Sequence, residues 1–227
     1  MKHLDTFEQL FERRNIGTIY HFTSLVNTFH IVTNNEMESY REIDKEITKI
    51  YKKSPENGTT FSFTRDKNLV RKVGQGQIDT LLTCRLDFDG SKLSDKYIIR
   101  PYNWQGDWEK KQLQNKKDGK EYLPTTKLSS ESEQALITND NHLKNIDRYL
   151  ENIIIPSLED FKEEFEFYAE SDPNFFYRLE SIVHLAGHED FDEYEIEYDD
   201  TTVSDTYNYI IEELNMAYIP YKVGKVS

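Results

Sequence analysis

An α+β fold with a helical, acidic C-terminal extension is what this sequence predicts, on three observations. Short segments with a two-residue period recur between residues 18 and 138. Helical spacing governs the apolar residues after Pro156. The charge divides in nearly the same place: residues 1–127 carry 22 Lys and Arg against 18 Asp and Glu, whereas residues 128–227 carry 6 against 24. The expected division is therefore 1–156 for the mixed domain and 157–227 for an acidic helical extension packed on it. At 227 residues the chain is long enough for one full core with such an extension.

The elements follow in order. Leu4, Phe7, Leu10 and Phe11 are spaced for an amphipathic helix, and Gly17 interrupts before the strand-like "TIYHF". Thr23 or Ser24 can cap a second helix whose Leu25, Phe29 and Val32 stand at i, i+4 and i+7. A third helix is expected over 38–53, with Tyr40, Ile43, Ile47 and Ile50 on one face. "SPENG" is turn chemistry, and "TTFSFTRD" alternates as a strand does.

Residues 78–88 have the clearest period of two, placing Leu82, Cys84, Leu86 and Phe88 on one side and Asp79, Thr83, Arg85 and Asp87 on the other. That pattern predicts a half-buried strand. "KYIIRPYNW" is a further strand that Pro101 ends, and "ESEQALIT" is another, after a long lysine-rich connection at 105–130. Helices are expected through Leu158, Phe161 and Phe165, through Phe176, Leu179 and Val183, and through Tyr207, Ile210, Ile211 and Leu214.

Composition narrows the class. Apolar residues make up 37% of the chain, with 15 Tyr and 13 Phe, too much packing material for a disordered protein despite a mean hydropathy of -0.78. No run reaches the roughly 18 apolar residues needed to span a bilayer, and "MKHLDTFEQLFERR" is charged where a signal peptide is apolar. A cytoplasmic protein without a membrane partner is expected. The single cysteine, Cys84, rules out an internal disulfide.

Familiar chemistry is missing as well: there is no GxGxxG after a strand, no GxxxxGK[ST], no GxSxG and no HExxH. His184 and His188 stand at i, i+4 but lack the intervening Glu, so packing or surface roles outweigh a metal site. Cys84, on the apolar side of its strand, reads as inert packing. The acidic run at 189–200 reads first as solvated surface and second as a mimic of a nucleic-acid backbone.

Three polar motifs lie on or beside expected strands: "YHFT" at 20–23, "FSFTR" at 61–65 and "ESE" at 131–133. Residues two apart on a strand share a face, which couples His21 with Thr23 and Glu131 with Glu133. Two carboxylates side by side are costly unless a cationic species lies near them. Taken singly, His21 is better explained by a structural hydrogen bond than by a ligand.

An aromatic-His-x-Thr at a strand end leading into a helix, then a strand ending in Ser-x-Thr-Arg, then a late Glu after a polar loop, resembles the ADP-ribosyltransferase superfamily. The likeness is to DarT-like enzymes and related small phage-encoded proteins, over about residues 16–155. It implies two split mixed sheets with flanking helices and NAD as co-substrate, with no metal. It also implies that His21 and Thr23 hold the adenine-side ribose and amide of NAD, that Ser62, Thr64 and Arg65 line the dinucleotide with Arg65 at its phosphates or in catalysis, and that Glu133 is the catalytic glutamate. Glu-x-Glu is a departure from DarT-like enzymes and is shared with transferases that modify arginine. The acceptor thus stays open between a nucleic-acid base and a protein side chain.

The chemistry fits that resemblance. Breaking the nicotinamide glycosidic bond builds positive charge on ribose, which a carboxylate at the 2'-hydroxyl stabilises, as in glycoside hydrolysis. Glu133 suits that role and Glu131 the role of base toward the acceptor. Tyr20, Phe61, Phe63 or Tyr102 can stack on a ring of NAD, though for any one of them in a chain this rich in Tyr and Phe core packing is the better reading. The lysine-rich loop at 109–120 suits a polyanionic acceptor. Such an enzyme would be a phage or toxin effector, with an acceptor macromolecule, a host or defence-system protein or an antitoxin as partner. The alternative is a non-catalytic interaction protein, or a pseudoenzyme, that uses the acidic C-terminal surface.

Overall fold

Alternation becomes strand and i, i+4 spacing becomes helix over most of the chain that the computed structural model describes: residues 16–38, 59–69, 82–101, 133–138, 140, 142–170, 173–188 and 200–226. In order, these form β1 (Thr18–Thr23), α1 (Leu25–Asn34), β2 (Glu36–Glu38), β3 (Thr59–Thr64), β4 (Cys84–Asp89), α2 (Gly90–Lys96), β5 (Ile98–Pro101), β6 (Glu133–Thr138) and β7 (His142–Lys144). After a 3-10 turn at Ile146–Arg148 come β8 (Leu150–Ile155), α3 (Leu158–Glu170), α4 (Pro173–Leu185), α5 (Asp200–Met216) and β9 (Tyr221–Val223). The architecture is α+β with mixed strand pairing and several helices. The expected helix at Leu4–Phe11 lies outside the described residues, as does nearly all of that at 38–53; Glu38, at its start, closes β2 instead.

The chain forms two compact units. The first holds β3, α2, β5, β6 and the first four residues of β1. Its strands run in the order β5-β6-β3-β1, every pairing antiparallel. Phe61 and Phe63 of β3 are buried and alternate with exposed Ser62, the pattern expected of "TTFSFT". Pro101 ends β5, which lies at the edge of the strand order, the position where a strand tolerates proline. A short helix that apolar spacing does not announce, α2, starts because the Asp89 carboxylate accepts the Lys92 N–H at 3.0 Å. That bond, with the Lys92 charge behind it, holds the Asp89 carboxyl below the usual carboxylate range. Gly90 is required there: its N–H donates to the Gly17 carbonyl at 3.0 Å, and an added Cβ would stand 2.6 Å from Ile16 Cγ2 and nearer still to that carbonyl oxygen.

The second unit is built around β4, β8 and β9, with β8 and β9 parallel in the register Ile153↔Tyr221, Ile154↔Lys222 and Ile155↔Val223. A parallel pair needs a crossover connection, and here three helices, α3 to α5, supply it. Its core joins Leu25, Phe29 and Val32 of α1, Cys84 of β4, Ile153 and Ile155 of β8, Phe161 and Phe165 of α3, Leu179 and Val183 of α4, and Ile210 and Leu214 of α5. The C-terminal helices thus share one core with segments from both sides of Pro156. At the start of α1 it is Ser24 that caps, its Oγ accepting the Asn27 N–H at 3.0 Å from extended backbone. The helix ends at Asn35, in left-handed conformation, whose N–H returns to the Ile31 and Val32 carbonyls.

Two differences from the expected pattern have a physical cause. The strand expected over 78–88 begins at Cys84, with Leu82 and Thr83 in irregular backbone and 78–81 outside the described residues. It is also covered on both faces: Cys84, Leu86 and Phe88 are fully buried, and Asp87 is buried too. Asp87 tolerates this because Arg85 Nε and Nη2 donate to its two oxygens at 2.7 and 3.1 Å and Asn152 Nδ2 donates at 3.2 Å. A pair read as the solvent side of a strand is instead a satisfied, half-buried ion pair.

Candidate functional site

The first unit assembles most of the residues singled out above. The register pairs Tyr20 of β1 with Thr64 of β3, and Thr64 with Glu133 of β6. Positions 20, 64 and 133, separated by 44 and 69 residues in the chain, therefore form one cross-strand row. Glu133 opens β6, and its backbone position is what the structure describes. Glu131 lies outside the described residues, as do Tyr102, the lysine-rich loop at 109–120 and residues 189–199 of the acidic run.

His21 sits one residue out of that row, which by strand alternation turns its side chain to the other face, the face of Phe63. Its Nδ1 is 2.9 Å from the Ser62 carbonyl. A carbonyl only accepts, so Nδ1 carries the proton and Nε2 is left as the basic nitrogen. The ring is half-buried and meets Phe63 edge-on at 5.8 Å. Burial pushes its pKa below the ordinary 6.5, against the opposing pull of the Ser62 bond, so the imidazole is neutral near pH 7. A neutral, tautomer-fixed imidazole is suited to hydrogen bonding a polar ligand without adding charge.

The remaining residues divide by exposure. Ser62 and Arg65 are exposed, Arg65 in the bend that follows β3. Thr64 is buried at 2%, and its Oγ1 accepts the Asp66 N–H at 2.9 Å while Asp66 Oδ1 accepts that of Asn68 at 3.0 Å. These two bonds turn the chain immediately after Arg65 and so set where it leaves the strand. Tyr20 is half-buried, and Thr23 is buried at the end of β1. Phe61 and Phe63 are buried at 3% and 2%, which makes them packing groups.

The other sequence candidates resolve separately. His184 is 3.8 Å from Glu180, while His188 lies past the end of α4, beyond Gly187 at φ +100, and is 3.2 Å from Asp205. The two histidines therefore serve different carboxylates. Cys84 is fully buried, and burial, with Glu164 nearby, raises its thiol pKa well above the ordinary value. A thiol held protonated in this way is a packing group.

Glu164 of α3 is a titratable group that apolar-run reading passes over. It is fully buried, accepts the Val26 N–H at 3.1 Å on Oε1, and bonds through Oε2 to the Thr83 hydroxyl. Burial pushes its pKa up to about 7, although Thr83 and the N–H groups of Leu25 and Val26 act in the opposite direction. Its spacing carries the signal: Glu164 comes three residues after Phe161 and next to Phe165, on the flank of the apolar stripe.

No family model, no curated protein and no solved structure matches this chain.

Proposed function

We propose that the chain is an NAD-dependent ADP-ribosyltransferase acting on a macromolecule, with an ADP-ribosyltransferase-like arrangement of its strands. The observation that supports the reading most is the register that brings the three motifs onto neighbouring strands at Tyr20, Thr64 and Glu133. It supports the reading because three motifs far apart in sequence come together on neighbouring strands.

In this reading His21 and Thr23 hold the adenine-side ribose and amide of NAD, exposed Ser62 lines the dinucleotide, buried Thr64 shapes the turn that places Arg65, and Arg65 meets the phosphates, which an exposed guanidinium can do bidentately. Tyr20 stacks on a ring of the ligand. The C1'–N bond to nicotinamide breaks with its electron pair leaving on nicotinamide, and Glu133 stabilises the cationic ribose through the 2'-hydroxyl. The acceptor's nucleophile forms the new bond at C1' and gives its proton to Glu131. A bacterial toxin or phage effector is the setting that fits such an activity. No described helix is long and apolar enough to cross a membrane.

Labelled NAD incubated with the protein and a bacterial lysate tests this. Transfer of label to macromolecules is expected; loss of the label to nuclease identifies a nucleic-acid acceptor, and loss to protease identifies a protein one. No transfer and no nicotinamide release, with capture of a lysate protein at a salt-sensitive affinity, would favour a non-catalytic interaction protein instead.

A further inference from the structure

The second unit contains a buried ionisable group that the proposed reaction does not use. We propose that Glu164 is a proton-linked latch, a buried carboxyl that ties the start of α1 to α3 and to the entry of β4 and whose ionisation, uncompensated by any cation among the described residues, weakens the fold. The geometry has three parts. Glu164 is fully buried, its Oε1 takes the N–H of Val26 in the first turn of α1, and its Oε2 bonds to Thr83 just before β4. Three segments far apart in sequence are therefore joined through one carboxyl.

The surroundings determine which form is favoured. From α1 the groups facing it are the N–H of Leu25 and Val26, which suit an anion at a helix start. From β4 comes the Cys84 thiol, bonded to Thr28 and Thr83 and held protonated by burial and by Glu164 itself. Tyr207 of α5, coupled to Cys84 and Tyr221, is likewise held neutral by burial. The cations of the packed helices are engaged elsewhere: Arg178 Nη1 is 2.8 Å from Asn27 Oδ1, His184 is near Glu180, and Lys162 Nζ is 3.0 Å from Asp200. No cation contributes to the electrostatics of Glu164 among the described residues, so the desolvation of its anion is uncompensated by charge.

Protonation has a clear local outcome. With Oε2 ionised, Thr83 must donate to it. With a proton on Oε2, the carboxyl donates to Thr83 Oγ1, and the Thr83 hydrogen is released toward Cys84 Sγ, 4.0 Å away. The proton comes from solvent, and Oε1 accepts from Val26 in both forms.

The sign of the linkage follows. The folded pKa, about 7, lies above the ordinary 4.5, so the folded chain binds more protons than the unfolded chain between those values. The stabilisation is complete below pH 4.5 and is lost as pH rises through 7. Between pH 5 and pH 8 this one group should lower the folding constant by about 70-fold.

Denaturant unfolding of the full chain at pH 5 to 8, for the unsubstituted protein and Glu164→Gln, tests the latch. Gln keeps an acceptor for the Val26 N–H and a donor for Thr83, as the protonated carboxyl does. The ratio of the two folding constants should change by about 70-fold across that range, and parallel curves would overturn the proposal. Cys84→Ala should leave the slope in place; loss of the slope would assign it to the thiol and reject Glu164. If Glu164→Gln does not fold, the carboxyl carbon of Glu164 in glutamate-labelled protein, identified by its proximity to the Val26 amide, decides. A midpoint near pH 7 supports the latch, and a midpoint in the ordinary carboxylate range rejects it.

Discussion

The two units handle buried polarity in opposite ways. In the first, His21 is pushed toward its neutral form by losing a proton, and in the second, Glu164 is pushed toward its neutral form by gaining one. Their contributions to stability therefore have opposite signs. That of His21 is present above the ordinary value of 6.5 and is lost as pH falls through its lower folded value, while that of Glu164 is lost as pH rises from 4.5 through about 7. The difference also separates two uses of polar groups. The first unit sets Ser62 and Arg65 at the surface beside β3, available to a ligand, whereas the second closes its carboxyl among apolar side chains.

If that contrast is correct, substitutions in the second unit should act on stability and those in the row of the first unit on ligand binding. The largest effect expected is from Phe161→Ala, which empties a fully buried position in the shared core and should cost about 3–5 kcal/mol in denaturant unfolding. A cost below about 1 kcal/mol would mean that the C-terminal helices are not part of that core. Gly90→Ala drives a Cβ into the Gly17 carbonyl and Ile16, and should cost about 1–3 kcal/mol in the same measurement. Ser24→Ala removes the cap of α1 and should cost about 1 kcal/mol, with faster amide exchange at Asn27. At the small end for stability, Arg65→Ala should stay within about 0.5 kcal/mol, because the side chain is exposed. The same substitution should weaken NAD binding by about tenfold or more in calorimetry, the loss of a charge-assisted contact. Stability loss without an affinity change would reverse the contrast.

Much of this was legible in the sequence where one physical signal dominates. Alternation located β1, β3 and β6, and i, i+4 spacing located α1 and α3 to α5, because a strand or helix with one apolar face announces its period. The cap of α1 was narrowed to two hydroxyls, of which Ser24 holds the Asn27 N–H. What depends on distant partners was not legible. The row of positions 20, 64 and 133 is set by register across strands, which no local pattern records. Burial of Asp87 depends on Arg85 and Asn152, and β9 exists as a strand because it pairs with β8. Glu164 was concealed differently: among the many acidic residues of α3, the one aimed inward differs from its neighbours by its phase relative to Phe161 and Phe165 alone.

The central claim is that the row on β1, β3 and β6 belongs to an NAD-cleaving site, and nicotinamide release measures it most directly. The protein with NAD and its acceptor lysate should release nicotinamide, and Glu133→Gln should slow that release by about 100-fold or more while leaving the unfolding midpoint in place, the scale of losing one group that stabilises transition-state charge. Equal release by the two proteins would contradict it.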